Sequence, residues 1–226
     1  MDALRVLGSN VTGPSRGTIV IATTNPGKVR EIAAALGDLG WDFKAQSEWG
    51  EMPAVKEDGD TYAANAVKKA AHAAARLGFP ALADDSGLEV DALDGDPGLY
   101  SARFAGERAT DADNRRLLLE RLNGVPTARR SARFRCVIAL VSPSGKVRVV
   151  EGSVEGRIGE REAGRGGFGY DPIFELPDRG LTFAELPAEE KQRISHRGRA
   201  LTRVRGILLA EAEGWSGRSL GPHDGA

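Results

Sequence analysis

Strand-like and helix-like segments alternate along this chain, and one junction between two strands is a tight hairpin. That combination constrains the fold more than any other feature. Residues 18–23 form a short β-branched apolar run, the pattern of a buried strand. Asn25-Pro26-Gly27 marks a turn, and Val29, Ile32, Ala33 and Leu36 then recur at helical spacing up to Gly37. Residues 41–45 predict a second strand. Residues 61–77 predict an alanine-rich helix with Ala66, Ala70, Ala73 and Leu77 on one face and Gly78 as its stop. Residues 79–83 and 88–93 read as two further strands. Residues 110–122 predict a helix opened by Thr110 and Asp113, a loose capping box. Residues 134–141 and 146–154 flank Ser142-Pro143-Ser144-Gly145, a hairpin signal. The glycine-rich stretch 159–169 reads as loop, and 188–212 as one last long helix. Interleaved strands and helices with an antiparallel hairpin predict an α/β fold on a mixed sheet.

Composition narrows the class. The 226 residues, 41% of them apolar, suit one large domain or two lobes sharing a cleft. The expected domain spans 18–212, with a loose leader at 1–17 and a frayed tail at 213–226. Thirty-one Lys and Arg against 32 Asp and Glu leave a formal charge of −1. A nucleic-acid partner is not expected on that balance, whereas a small anion held by a few placed cations is compatible. Cys136 is the single cysteine, which excludes an internal disulfide and a cysteine-cluster zinc site. No apolar stretch approaches the length of a membrane span, and residues 1–17 lack the layout of a signal peptide. The expectation is a cytoplasmic protein without a membrane partner.

Five segments carry candidate chemistry. Asp84-Asp85-Ser86-Gly87 follows a predicted strand, and ligands collect at strand ends in open α/β sheets. Two adjacent carboxylates invite a cation, and magnesium takes oxygen ligands. The same run also reads as a solvated turn. Thr23-Thr24-Asn25-Pro26-Gly27-Lys28 resembles a phosphate cradle at a helix N-terminus, though an ordinary tight turn fits equally. Glu57 precedes the helix bearing Asn65 and Lys69, which share a face; it suits a metal ligand or a capping charge. In Gly166-Gly167-Phe168-Gly169-Tyr170-Asp171, glycines leave an aromatic face open for a base, or Phe168 plugs the core. Lys191, Ser195, His196 and Arg197 cluster within two helical turns and also suit a solvated basic face.

In their order and wording, these segments together resemble the inosine triphosphatase family. Further matching pieces are Pro97-Gly98-x-Tyr100-Ser101-Ala102-Arg103-Phe104, Ala184-Glu185-Leu186 and Glu190-Lys191-x-x-Ile194-Ser195-His196-Arg197. The resemblance covers about residues 18–212. It implies a long mixed sheet with flanking helices, whose two lobes enclose a nucleotide cleft, in a homodimer. It implies hydrolysis of non-standard purine nucleoside triphosphates (ITP, dITP, XTP) to monophosphate and pyrophosphate with Mg2+. Carried over, Asp85 is the proton acceptor and also touches metal, with Glu57 and Asp84 as further metal contacts. Thr23, Thr24, Asn25, Pro26, Gly27, Lys28, Lys69 and Ser86 line the phosphates. Phe168, Gly169, Tyr170 and Asp171 hold the base, completed by Lys191, His196 and Arg197. Fixed donors at His196 and Arg197 would favour a 6-carbonyl over the amino group of adenine. The alternatives are a pyrophosphatase for another modified nucleotide, a phosphatase releasing orthophosphate, or a catalytically idle nucleotide-binding module.

Overall fold

The computed structural model of the chain describes residues 15–215. Residues 1–14 of the expected leader and 216–226 of the expected tail lie outside the described residues. Seven strands form one mixed sheet: β1 (Thr18–Ile21), β2 (Asp42–Ala45), β3 (Ala81–Val90), β4 (Ser131–Val141), β5 (Val147–Ile158), β6 (Phe174–Leu176) and β7 (Leu181–Thr182). Their order is β2-β1-β3-β4-β5-β6-β7. β1 pairs parallel with β2 and β3, and every later pairing is antiparallel. The mixed sheet expected from the alternation and the hairpin is therefore present, with β4 and β5 joined across residues 142–146.

Among the described residues, five helices flank the sheet: α1 (Pro26–Leu36), α2 (Tyr62–Leu77), α3 (Asp111–Arg121), α4 (Ala188–Ile194) and α5 (His196–Ala210). Local signals set their ends. Asn25 caps α1, Thr61 caps α2, and Thr110 with Asp113 forms the capping box of α3. The alanines of α2 pack on Val20, Ala81, Ala83 and Ala139 from one face of the sheet. On the opposite face, Ile32 and Leu36 of α1 and Leu201, Val204 and Leu208 of α5 pack on Leu82, Ile138 and Leu140. A separate core gathers Leu88, Val90, Phe134, Phe174 and Phe183 around the far end of the same strands. Three cores thus share β3, and residues 84–87 belong to none of them.

Four expectations need correction. Strand β3 runs unbroken from Ala81 to Val90, through the run expected to end a strand. Asp and Gly are poor strand formers, but all ten residues pair with β4, and that ladder overrides propensity. The expected last helix is two, because Ser195 adopts extended φ, ψ of −68°, 161° and caps α5 by accepting from the Gly198 N–H. Residues 213–215, expected in the tail, belong to the fold, since residues 212–215 form a 3-10 turn and Trp215 is buried in the α1–α5 core. Residues 15–17, expected in the leader, are tied to the fold by the Arg16 N–H donating to Gly40 O at 2.8 Å. Among the described residues no helix is long and apolar enough to cross a membrane.

Candidate active site

Period-two geometry sends the side chains of Asp84 and Asp85 to opposite faces of β3. Each meets its own set of cations. On the α2 face, Asp85 Oδ2 accepts from Asn65 Nδ2 at 3.1 Å, and Oδ1 lies 3.3 Å from Lys69 Nζ. The same Nζ is 3.3 Å from Glu57 Oε1. Asn65 is held in turn, its Oδ1 accepting from the Gly59 N–H at 2.9 Å, so the loop bearing Glu57 is fastened to α2. The small side chains of α2 let the helix lie close on the sheet, which brings Asn65 and Lys69 within reach of Asp85. Burial raises the Asp85 pKa; Lys69 opposes the rise and the charge of Glu57 adds to it. Burial lowers the Lys69 pKa, but Asp85 and neighbouring carboxylates more than reverse this.

On the other face, Asp84 is fully buried between Lys28 Nζ at 3.2 Å and Arg197 Nη2 at 3.0 Å. Burial alone would raise its pKa, yet these two charges hold the carboxyl well below the ordinary range. Arg197 also donates to Ser86 Oγ at 3.0 Å and to Glu31 Oε2 at 2.6 Å. Glu31 then accepts from Lys191 Nζ at 2.9 Å, and Lys191 donates to Asp171 Oδ2 at 2.6 Å. Charges alternate along this chain from Lys28 to Asp171, three of each sign. That alternation lets six ionic groups sit in the gap between two apolar cores.

The Asp171 carboxylate has a second role. Its Oδ2 accepts from the Phe168 N–H at 2.8 Å, folding the glycine-rich loop over the site. The Phe168 ring lies 5.0 Å from Lys191 Nζ and 5.5 Å from the Arg197 guanidinium. It also rests on Gly27, where a Cβ would sit 2.7 Å from the ring. The first turn of α1 and the glycine-rich loop are therefore in contact. His196 stacks on Phe134 with ring centroids 4.6 Å apart, and its buried Nδ1 has no hydrogen-bond partner. Burial, then the charges of Arg197 and Lys191, push its pKa well below 6.5, so the ring is neutral. One pocket is lined by Asn25, Lys28, Ser86, Phe168, Lys191 and His196 together.

Most residues singled out from the sequence converge here. Thr23 and Pro26 shape the turn rather than offering an open cradle. Asn25 N donates to Thr23 Oγ1, and Asn25 Oδ1 accepts from the Gly27 and Lys28 N–H groups. Pro26 has no N–H, so the N-terminal donors expected to face an anion are already engaged, and Lys28 Nζ is the cation beside the pocket. Tyr170 is turned inward, its OH donating to Ser101 O at 2.9 Å. Sequence reasoning misses Glu31. Its position one helical turn after Lys28 is the available signal, but only folding brings Lys191 and Arg197 to it. His72 lies on α2 outside this group, and His223 lies outside the described residues.

Among the described residues no group of three or more His, Cys, Asp or Glu side chains is gathered as a metal cage. Glu57 and Asp85 nevertheless converge on one cation, the Lys69 ammonium. Two carboxylates converging on one cationic group suit magnesium, which takes one or two carboxylates and completes its shell with water and phosphate oxygens.

Comparison with known proteins agrees with this architecture. The dITP/XTP pyrophosphatase of Geobacter sulfurreducens is 51% identical over 199 residues, 88% of this chain and 98% of that protein. The dITP/XTP pyrophosphatase of Thermus thermophilus is 51% identical over 197 residues, 87% of this chain and 92% of that one. A HAM1 protein from Coxiella burnetii matches with TM-score 0.78 and 44% identity, over 85% of this chain and 98% of that structure. The model of the Ham1 family matches residues 19–207, so the chain belongs to the Ham1 family.

Proposed function

We propose that this chain hydrolyses non-standard purine nucleoside triphosphates such as dITP, ITP and XTP at the α–β phosphoanhydride, releasing the monophosphate and pyrophosphate. The observation that carries the reading is the placement of Asp85. A buried carboxylate of raised pKa shares the Lys69 ammonium with a second carboxylate, Glu57, and its strand neighbours Ser86 and Gly87 line a pocket that Phe168 also lines.

In this reading Asp85 accepts the proton of the attacking water, and Asn65 fixes its carboxylate plane. Glu57 and Asp85 would hold Mg2+, which would supply the charge that polarises a phosphate oxygen and acidifies a water. Asp84, expected as a further metal contact, is assigned instead to orienting Lys28 and Arg197, which engage both its oxygens. Lys28, Lys69 and Ser86 neutralise and position the phosphates, with the turn Thr23-Thr24-Asn25-Pro26-Gly27 presenting Lys28 at the start of α1; phosphoryl transfer chiefly demands this of a protein. The base lies against Phe168, in the loop Phe168-Gly169-Tyr170-Asp171. Neutral His196 with its proton on Nδ1 donates to a 6-carbonyl and leaves the amino group of adenine unpaired. Most Arg197 donors are spent on Asp84, Glu31 and Ser86, so that residue, like Lys191, serves the pocket mainly by bracing it. By family resemblance we extend the proposal to a cytoplasmic homodimer, checked by sedimentation velocity as a species of twice the chain mass.

Identifying the product from dITP with Mg2+ tests the reading. Pyrophosphate is expected, and stepwise orthophosphate, or equal turnover of dUTP, would overturn it. Asp85→Asn should lower turnover about 10²- to 10⁴-fold while keeping the far-UV circular dichroism of the parent.

A further inference from the structure

The loop proposed to hold the base is gripped by a helix that none of the roles above involves. Asp111, the first residue of α3, accepts from the Gly169 N–H at 2.8 Å. One turn along the same helix, Arg115 donates from Nη1 to Gly169 O at 2.8 Å. Arg115 is steadied by Glu162, which accepts from its Nε at 2.9 Å. Both polar groups of one glycine are therefore taken by one helix. Gly169 has φ of +60° and lies between Phe168 and Tyr170, so its orientation sets the direction of both aromatic neighbours. Without this grip, the Phe168–Gly169 peptide unit would keep only the 3.2 Å bond from the Asp171 N–H to Phe168 O, and the Gly169–Tyr170 unit would lose its Arg115 contact. Asp111 also borders the pocket itself.

We propose that the first turn of α3 is a clamp on the base loop, with Asp111 and Arg115 as positioning residues that hold Phe168 in the orientation required for base stacking. The inference rests on the base-loop role proposed above. Both contacts are ionic on the helix side and neutral on the loop side, a class of hydrogen bond stronger than a neutral pair. Their loss acts on base binding and leaves Asp85, Glu57 and Lys69 undisturbed, because those residues lie on the α2 face.

The test compares Asp111→Ala, Arg115→Ala and Asp111→Asn with wild type. The two alanine variants should each raise the KM for dITP on the order of tenfold, with kcat within about twofold. Inorganic tripolyphosphate, which has no base, should inhibit all forms with one Ki. Asp111→Asn keeps an acceptor oxygen for the Gly169 N–H and should restore the KM. An unchanged KM in both alanine variants overturns the clamp, as does a tripolyphosphate Ki that rises in step with the KM. Glu162→Ala removes only the brace on Arg115 and should raise KM less than either alanine variant. Calorimetric dITP affinity reads the same ratios whether or not turnover occurs. A wild type that binds but does not hydrolyse dITP thus removes the functional reading while still testing the clamp.

Discussion

Replacing Asp84 by Asn separates two physical accounts of the acidic pair, because they predict opposite signs. Asp84 is fully buried and flanked by Lys28 at 3.2 Å and Arg197 at 3.0 Å. Removing one partner of a buried ion pair typically costs about 3–5 kcal/mol, since the remaining charge stays desolvated. Here two cations would remain. Asn keeps one acceptor oxygen, and the Glu31 carboxylate still neutralises part of Arg197, so the lower end, about 3 kcal/mol, is expected. For a domain of this size that corresponds to a Tm lower by about 6–12 °C. The assay is urea and thermal unfolding in magnesium-free buffer for wild type, Asp84→Asn, Arg197→Met and the double variant. The double variant should be less destabilised than the sum of the singles by about 1.5–3 kcal/mol, the coupling expected for contacting buried charges. If Asp84 and Asp85 were instead a repelling pair awaiting metal, Asp84→Asn would stabilise the metal-free protein. An Asp84→Asn variant as stable as wild type, or more so, refutes the anchoring role.

His196 makes a pH prediction whose sign follows from its depressed pKa. The unfolded chain binds a proton near pH 6.5 that the folded chain rejects, so stability from neutral His196 is present above that pH and is lost as pH falls. Between about pH 6.5 and 5.5 wild type should lose about 1 kcal/mol more than His196→Asn in urea melts; parallel pH profiles would count against a buried neutral ring. Gly198 and Gly206 both lie in α5 and should respond oppositely to alanine. A Cβ at Gly198 would fall 1.6 Å from Gln192 O, so Gly198→Ala should destabilise by about 3 kcal/mol or more. At Gly206 no atom lies within 4 Å, and Gly206→Ala should gain about 0.5–1 kcal/mol by helix propensity, read as a shift in urea midpoint.

Much of the fold is readable locally. The turn at 25–27 that opens α1, the alanine-rich helix ending at Gly78, the capping box at Thr110 and the hairpin at 142–145 are short-range signals, and each stands where its residue pattern places it. The departures share a cause. Local propensity ends a strand at the acidic run because Asp and Gly disfavour strands, while the deciding partner, β4, lies far along the chain. The apolar spacing of the last helix persists through Ser195, and the break shows only in the extended backbone of that residue. The polar, glycine-rich sequence around Trp215 reads as a tail, yet the core between α1 and α5 buries that ring.

The sequence by itself determined the alternation of elements, the mixed character of the sheet and the cast of charged residues in their ordered motifs, because those are properties of neighbours within a turn or a strand. Only the tertiary structure decided which charge meets which. Asp84 and Asp85 are adjacent in the chain, but the pleat sends one to Lys28 and Arg197 and the other to Asn65 and Lys69. Glu31, Lys191 and Asp171 become one ionic chain only when α1, α4 and the glycine-rich loop close over the gap between two cores. Pairing over such sequence distances depends on burial and field, and neither exists until the sheet has formed.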